Sequence, residues 1–228
     1  NSTLLGGFNS LWGGILGFAT PYFSGAVDLS AGRDIFLGNY SAGATPEFVG
    51  SITPGTAGVL GDASLLNPGG VGAYRFGGGA LNLSGPDNTL SGANMVMVGI
   101  PNRLLSVQAN GPGTSVSTLS IRNTNSYTGG TVVNTASTLN LQTGNGIGSG
   151  PLEITNGATV NVQGALGALL NTGTILLRVA STLTLDNLNA VNGTSIFSGA
   201  GGQGRFGDAT ALALNGGNFR LLGAASAQ

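Results

Sequence analysis

From about residue 74 onward the chain alternates apolar and polar positions in short runs. Five runs share one pattern of small, Thr or Ala, aliphatic, polar, aliphatic: Gly79–Leu83, Ser117–Ile121, Ser137–Leu141, Ala158–Val162 and Ser181–Leu185. Alternation with a period of two predicts a β-strand with one buried face. Thr118, Thr138, Thr159 and Thr182 hold the same place in four of them, at intervals of 20, 21 and 23 residues. Ala80 holds it 38 residues before Thr118, close to two periods. A second short strand is expected ahead of three runs, at Thr131–Val133, Leu152–Ile154 and Thr174–Val179, and a last strand at Phe219–Leu222. Gly-rich corners separate members of a pair, among them Gly77-Gly78-Gly79, Thr155-Asn156-Gly157 and Asn215-Gly216-Gly217.

Two all-β folds produce such a pattern. Asn-Gly between alternating strands signals a hairpin, and serial hairpins give an antiparallel sandwich or barrel. A parallel β-helix instead stacks one ~20-residue coil on the last. The near-constant period favours the second, because stacked coils place Thr over Thr and Leu over Leu in ladders that reward self-similarity. The expected fold is therefore a parallel β-helix (solenoid) with coils of ~20 residues. Its repeat domain covers residues 71–228. Residues 1–70 form a divergent N-terminal segment, a cap or a subunit-docking piece.

The run Asn123-Thr124-Asn125-Ser126-Tyr127-Thr128-Gly129-Gly130-Thr131-Val132-Val133-Asn134, continued by Ser137-Thr138-Leu139-Asn140-Leu141, resembles the autotransporter-associated β-strand repeat. Gly148-Ser149-Gly150-Pro151-Leu152 resembles that repeat's next element. The clear match spans Asn123 to Val162, and weaker copies occur at Tyr74–Gly79 and Leu212–Gly217. The resemblance implies a right-handed β-helix, secreted or displayed on a bacterial surface, that acts as a scaffold without a catalytic motif. One departure is local: Ala136-Ser137 stands where the repeat usually has a corner Gly. The other is that no translocator barrel follows, which leaves the secretion route open.

Composition narrows the chemistry. Among 228 residues there are 43 Gly but only 7 % charged residues, with a net charge of −1. Cys, His and Lys are absent. Thiolate and imidazole metal sites, disulfides, Ser-His-Asp catalysis and a Walker phosphate loop are thereby excluded. The near-neutral charge argues against a nucleic-acid partner. No cofactor is expected. A Gly-x-Gly-x-x-Gly match at Gly199, Gly201 and Gly204 runs into Gly207 and Asp208 where a helix should begin, so it reads as chance. Gly201-Gly202-Gln203-Gly204 is similar to a calcium-binding nonapeptide, but Phe206 occupies the place of its Asp. Glycosidase chemistry needs a close carboxylate pair. Asp186 and Asp208, about one period apart, are the nearest approach, and each reads better as a solvated turn residue. The sequons at Asn1, Asn39, Asn82 and Asn192 are near chance in so Asn-rich a chain, and Asn82 falls inside an expected strand.

The first 27 residues carry no charge, yet their Gly and Pro content makes a poor helix, so no membrane span is expected. More than half of the 14 aromatic residues precede Gly50. They read either as a local core or as a surface that docks on a neighbouring subunit. Under the docking reading the candidate interface is Phe8, Trp12, Phe18, Tyr22 and Phe23 at one end, and Phe219, Leu221 and Leu222 at the other. An uncapped coil end is an unpaired strand edge that invites another chain. The leading expectation is an extracellular structural protein, a building block of a surface fibre, filament or layer that stacks head to tail as a homo-oligomer. The alternative is an adhesin whose Asn, Thr and Gln ladders face glycans or a host surface, with Trp12 or Tyr127 stacking on a sugar ring. A β-helical carbohydrate-active enzyme is the third reading.

Overall fold

The computed structural model describes residues 14–30, 35–40, 44–55, 72–100, 117–134, 136–155, 157–187 and 204–223. Among them there is no helix. The strands in chain order begin with β1 (Gly14–Phe18), β2 (Tyr22–Phe23), β3 (Val27–Asp28), β4 (Ile35–Asn39), β5 (Glu47–Phe48) and β6 (Ile52–Thr53). Next come β7 (Ala73–Phe76), β8 (Gly79–Leu83), β9 (Met95–Val98), β10 (Ser117–Ile121), β11 (Thr131–Val133) and β12 (Thr138–Leu141). The last six are β13 (Leu152–Ile154), β14 (Thr159–Val162), β15 (Thr174–Leu177), β16 (Thr182–Asp186), β17 (Ala211–Leu214) and β18 (Asn218–Leu222).

From β7 onward, successive strands go alternately to two eight-stranded sheets. The first runs β1-β4-β7-β9-β11-β13-β15-β17 and the second β18-β16-β14-β12-β10-β8-β5-β2; β3 and β6 form a small third sheet. Every pairing between these strands is parallel. The described strands thus do not form a hairpin sandwich: after the corners at Gly157 and Gly216 the chain enters the opposite sheet. Of the strands between residues 14 and 53, β1, β2, β4 and β5 join the same two sheets as the strands after residue 71.

The Thr positions that revealed the period are direct neighbours. Thr118 pairs with Thr138, Thr138 with Thr159, and Thr159 with Thr182, while Thr118 also pairs with Ala80. The register builds two apolar columns. In the first sheet the column is Leu16, Leu37, Phe76, Val98, Val133, Ile154, Leu177 and Leu214. In the second it is Phe23, Phe48, Leu83, Ile121, Leu141, Val162, Leu185 and Leu221. The inner six of each column are all buried and belong to one core. Burying each such side chain stabilises the fold by roughly 1.5–3 kcal/mol before entropy is counted.

The other face of each sheet differs. On the second sheet it carries the column Tyr22, Glu47, Asn82, Ser120, Asn140, Asn161, Thr184 and Arg220. Here Asn161 Nδ2 donates to Asn140 Oδ1 at 3.0 Å and Asn140 Nδ2 to Ser120 Oγ at 3.4 Å. On the first sheet the other face is buried through the middle of the stack, from β4 to β13. Phe36, Ala73, Met95, Met97, Ile100 and Val132 form a second apolar cluster there.

One corner recurs. The carbonyls of Asn134, Thr155 and Arg178 accept the N–H three residues on, from Ser137, Ala158 and Ser181. The third residue of each turn is Ala136 (φ 59°), Gly157 (φ 73°) or Ala180 (φ 58°). Ala136 therefore keeps the left-handed conformation that a glycine would adopt freely. That conformation strains an alanine by about 1–2 kcal/mol, and glycine's extra chain entropy offsets about half. Ala136→Gly and Ala180→Gly are each expected to raise the unfolding free energy by about 0.5–1 kcal/mol. Urea denaturation checks this, with Gly157→Ala giving the opposite sign.

Candidate functional site

Two places gather the sequence's most specific residues: the Asn125–Thr131 motif and the two ends of the columns.

The motif reads as structure position by position. Asn125 is buried; its Oδ1 accepts the N–H of Leu90 at 3.0 Å, and its Nδ2 donates to the carbonyl of Gly146 at 2.9 Å. It therefore ties its own turn to the segments before and after it. Tyr127 is fully buried, with its hydroxyl 2.5 Å from the Thr131 hydroxyl. Burial pushes the Tyr127 phenol far above its ordinary range, so it stays protonated at any physiological pH. A Cβ on Gly129 would meet the Asn94 carbonyl at 2.6 Å, so only glycine fits that approach. Gly130 follows with φ 90°. Tyr127→Phe orphans the buried Thr131 hydroxyl and is expected to lower stability by about 1–2 kcal/mol, read as a shift in denaturation midpoint at unchanged m-value. With its ring inside the core, Tyr127 offers no platform to a sugar, which removes one support of the adhesin alternative.

The candidate interface residues fall into three groups. Phe8 and Trp12 lie outside the described residues. Phe18 and Phe23 turn inward: Phe18 is buried, and the rings of Phe18, Phe23 and Phe48 sit 4.9–5.7 Å apart at the β2 end of the core. Phe219 is half-buried, 6.0 Å from the Phe206 ring. Phe206 itself is buried, which explains why an apolar ring stands at the position of a calcium nonapeptide's Asp. Tyr22 and Leu221 are exposed, at 59 % and 47 %, and Leu222 is partly exposed.

Sequence reasoning missed the exposed leucines of β17. Leu212 and Leu214 on β17 occupy core-column positions, yet they are 37 % and 56 % exposed, whereas their partners Ile175 and Leu177 are fully buried. Among the described residues, β17 and β18 each pair on one side only. The described core columns thus end on exposed leucines, beside two strand edges that no described strand covers. No family model, curated protein or solved structure matches this chain. The likeness to the autotransporter repeat rests on its own residues, Asn123 to Val162.

Charged groups are few and mostly engaged. Glu153 is buried on the first sheet and accepts the Arg178 Nε–H at 2.9 Å. Glu47 accepts from the Ser84 hydroxyl and lies 3.6 Å from Arg122, whose Nε donates to Gln142 Oε1. Asp87 accepts the Thr124 N–H at 2.9 Å, and its hydrogen bonds to Thr124 hold it below the usual carboxylate range. Its small contribution is present above the unfolded-state pKa and fades as pH falls through the folded one. Asp186 ends β16, and Asp208 lies in the turn before β17. Gly207 and Asp208 begin no helix, as a dinucleotide site would require. Asn82 lies within β8, as expected, with its N–H bonded to the Pro46 carbonyl. Among the described residues no helix is long and apolar enough to cross a membrane.

Proposed function

We propose that this chain is a right-handed parallel β-solenoid that serves as an extracellular structural building block, stacking into a surface fibre, filament or layer. The supporting observation is the run of two apolar columns through eight parallel strands each, ending on exposed leucines at an edge that no described strand covers. Each pair of strands then amounts to one coil, and the corners at Ala136, Gly157 and Ala180 carry the chain from one sheet to the other. Side-chain chemistry supports a scaffold role. Asn125, Tyr127, Thr131 and the Asn140–Asn161 ladder bond to the chain's own backbone and side chains. A net charge of −1 opposes self-association only weakly. Secretion or surface display follows from the likeness to the autotransporter repeat.

Electron microscopy of the purified protein tests this reading. Filaments with an axial rise of roughly 38 Å per subunit, eight strand spacings of about 4.8 Å, are expected. Monodisperse particles at every concentration would contradict it.

A further inference from the structure

The strand register fixes how one copy would meet the next. Each column has two ends, and the residues at those ends complement each other. The first-sheet core column starts at Leu16 on β1 and stops at Leu214 on β17. The second-sheet core column starts at Phe23 on β2 and stops at Leu221 on β18. The outer column of the second sheet starts at exposed Tyr22 and stops at exposed Arg220.

We propose that a second copy of this chain docks end to end in parallel register, its β1 on β17 and its β2 on β18, along the edges that no described strand covers. This rests on the solenoid building-block reading above and names its contacts. Continuing the register sets Leu214 against the next copy's Leu16, Leu221 against its Phe23, and Arg220 against its Tyr22. The first two contacts cover leucines that are 56 % and 47 % exposed in the single chain. The third lays a guanidinium on a tyrosine ring, a favourable pairing that fixes the register on the solvent side. The edge offers two exposed leucines on the core side and an arginine on the solvent side, which suit apolar side chains within and a ring outside. β1 and β2 of this chain supply both. The contact is heterologous, so each added copy leaves a new β17–β18 edge and growth is open-ended.

The chain has no Cys, so introduced thiols report without background. Tyr22→Cys and Arg220→Cys chains are made separately and treated with a short bifunctional thiol cross-linker, alone and mixed. Dimers in the mixture, and none in either chain alone, are expected. Like-with-like dimers, or no dimers in the mixture, overturn the proposal. Sedimentation of wild type and Leu214→Glu separates this from failure of the parent reading. Leu214→Glu is expected to weaken assembly about tenfold or more, because stacking would bury its charge. If wild type and Leu214→Glu assemble equally, the copies associate laterally: end-to-end docking falls and the structural role stands. If wild type never assembles, both fall.

Discussion

Arg205→Met is expected to lower the unfolding free energy by about 3–5 kcal/mol. Arg205 is 5 % exposed and precedes the last two strands. Its guanidinium donates to Asn187 Oδ1 at 2.9 Å, to the Asp186 carbonyl at 2.7 Å, to the Gly164 carbonyl at 2.9 Å and to the Gly167 carbonyl. One side chain thus ties together three segments far apart in sequence. Methionine fills similar space but donates nothing, so buried carbonyls lose their partner at about 1–3 kcal/mol each, partly recovered by relaxation. Desolvation lowers the Arg205 pKa and the nearby Asp186 charge raises it. An arginine still remains protonated across the physiological range. Arg205→Lys keeps the charge but not the planar fork, and should recover only a minor part of the loss. Urea denaturation of the three proteins checks the order.

Leu141→Ala, in the middle of the second-sheet column, should cost about 3 kcal/mol. Leu141 is fully buried between its register partners Ile121 and Val162. Removing it leaves a void that rigid neighbouring strands cannot close. Leu221→Ala removes the same atoms from the end of the same column. There the side chain is 47 % exposed, so the isolated chain should lose under about 1 kcal/mol. Measured in dilute solution, the pair separates column position from residue type. Equal losses at both positions would contradict the stack as described.

The second sheet was legible in the sequence because one of its faces is polar. Thr118, Ser120, Asn140 and Asn161 alternate with buried aliphatics, and that alternation gives both the strands and their period. From β4 to β13 the first sheet is buried on both faces, which weakens the alternation there. β9, Met95–Val98, is apolar throughout and gave no period-two signal. The two-residue strands β2, β3, β5 and β6 are too short for any pattern. At the Ala136 corner the sequence suggested a departure from the repeat, but the backbone keeps the left-handed turn and the chain absorbs the strain. Arg205 was invisible because its Gly164 and Gly167 acceptors lie 41 and 38 residues away. The exposed Leu212 and Leu214 looked like ordinary alternation. Only the register shows that they end a core column.

A spin-label ruler tests the central claim, the in-register parallel stack, most directly. Asn218, Thr182, Thr159, Thr138, Thr118 and Ala80 form one column on adjacent strands. One label stays at Asn218→Cys, and the second moves through Thr138→Cys, Thr118→Cys and Ala80→Cys. Backbone separations of roughly 14, 19 and 24 Å are expected, one strand spacing of about 4.8 Å per step. Label distances that rise in two equal steps support the stack. Distances that fall, or that jump by unequal amounts as the label moves from 138 to 118 to 80, would contradict it.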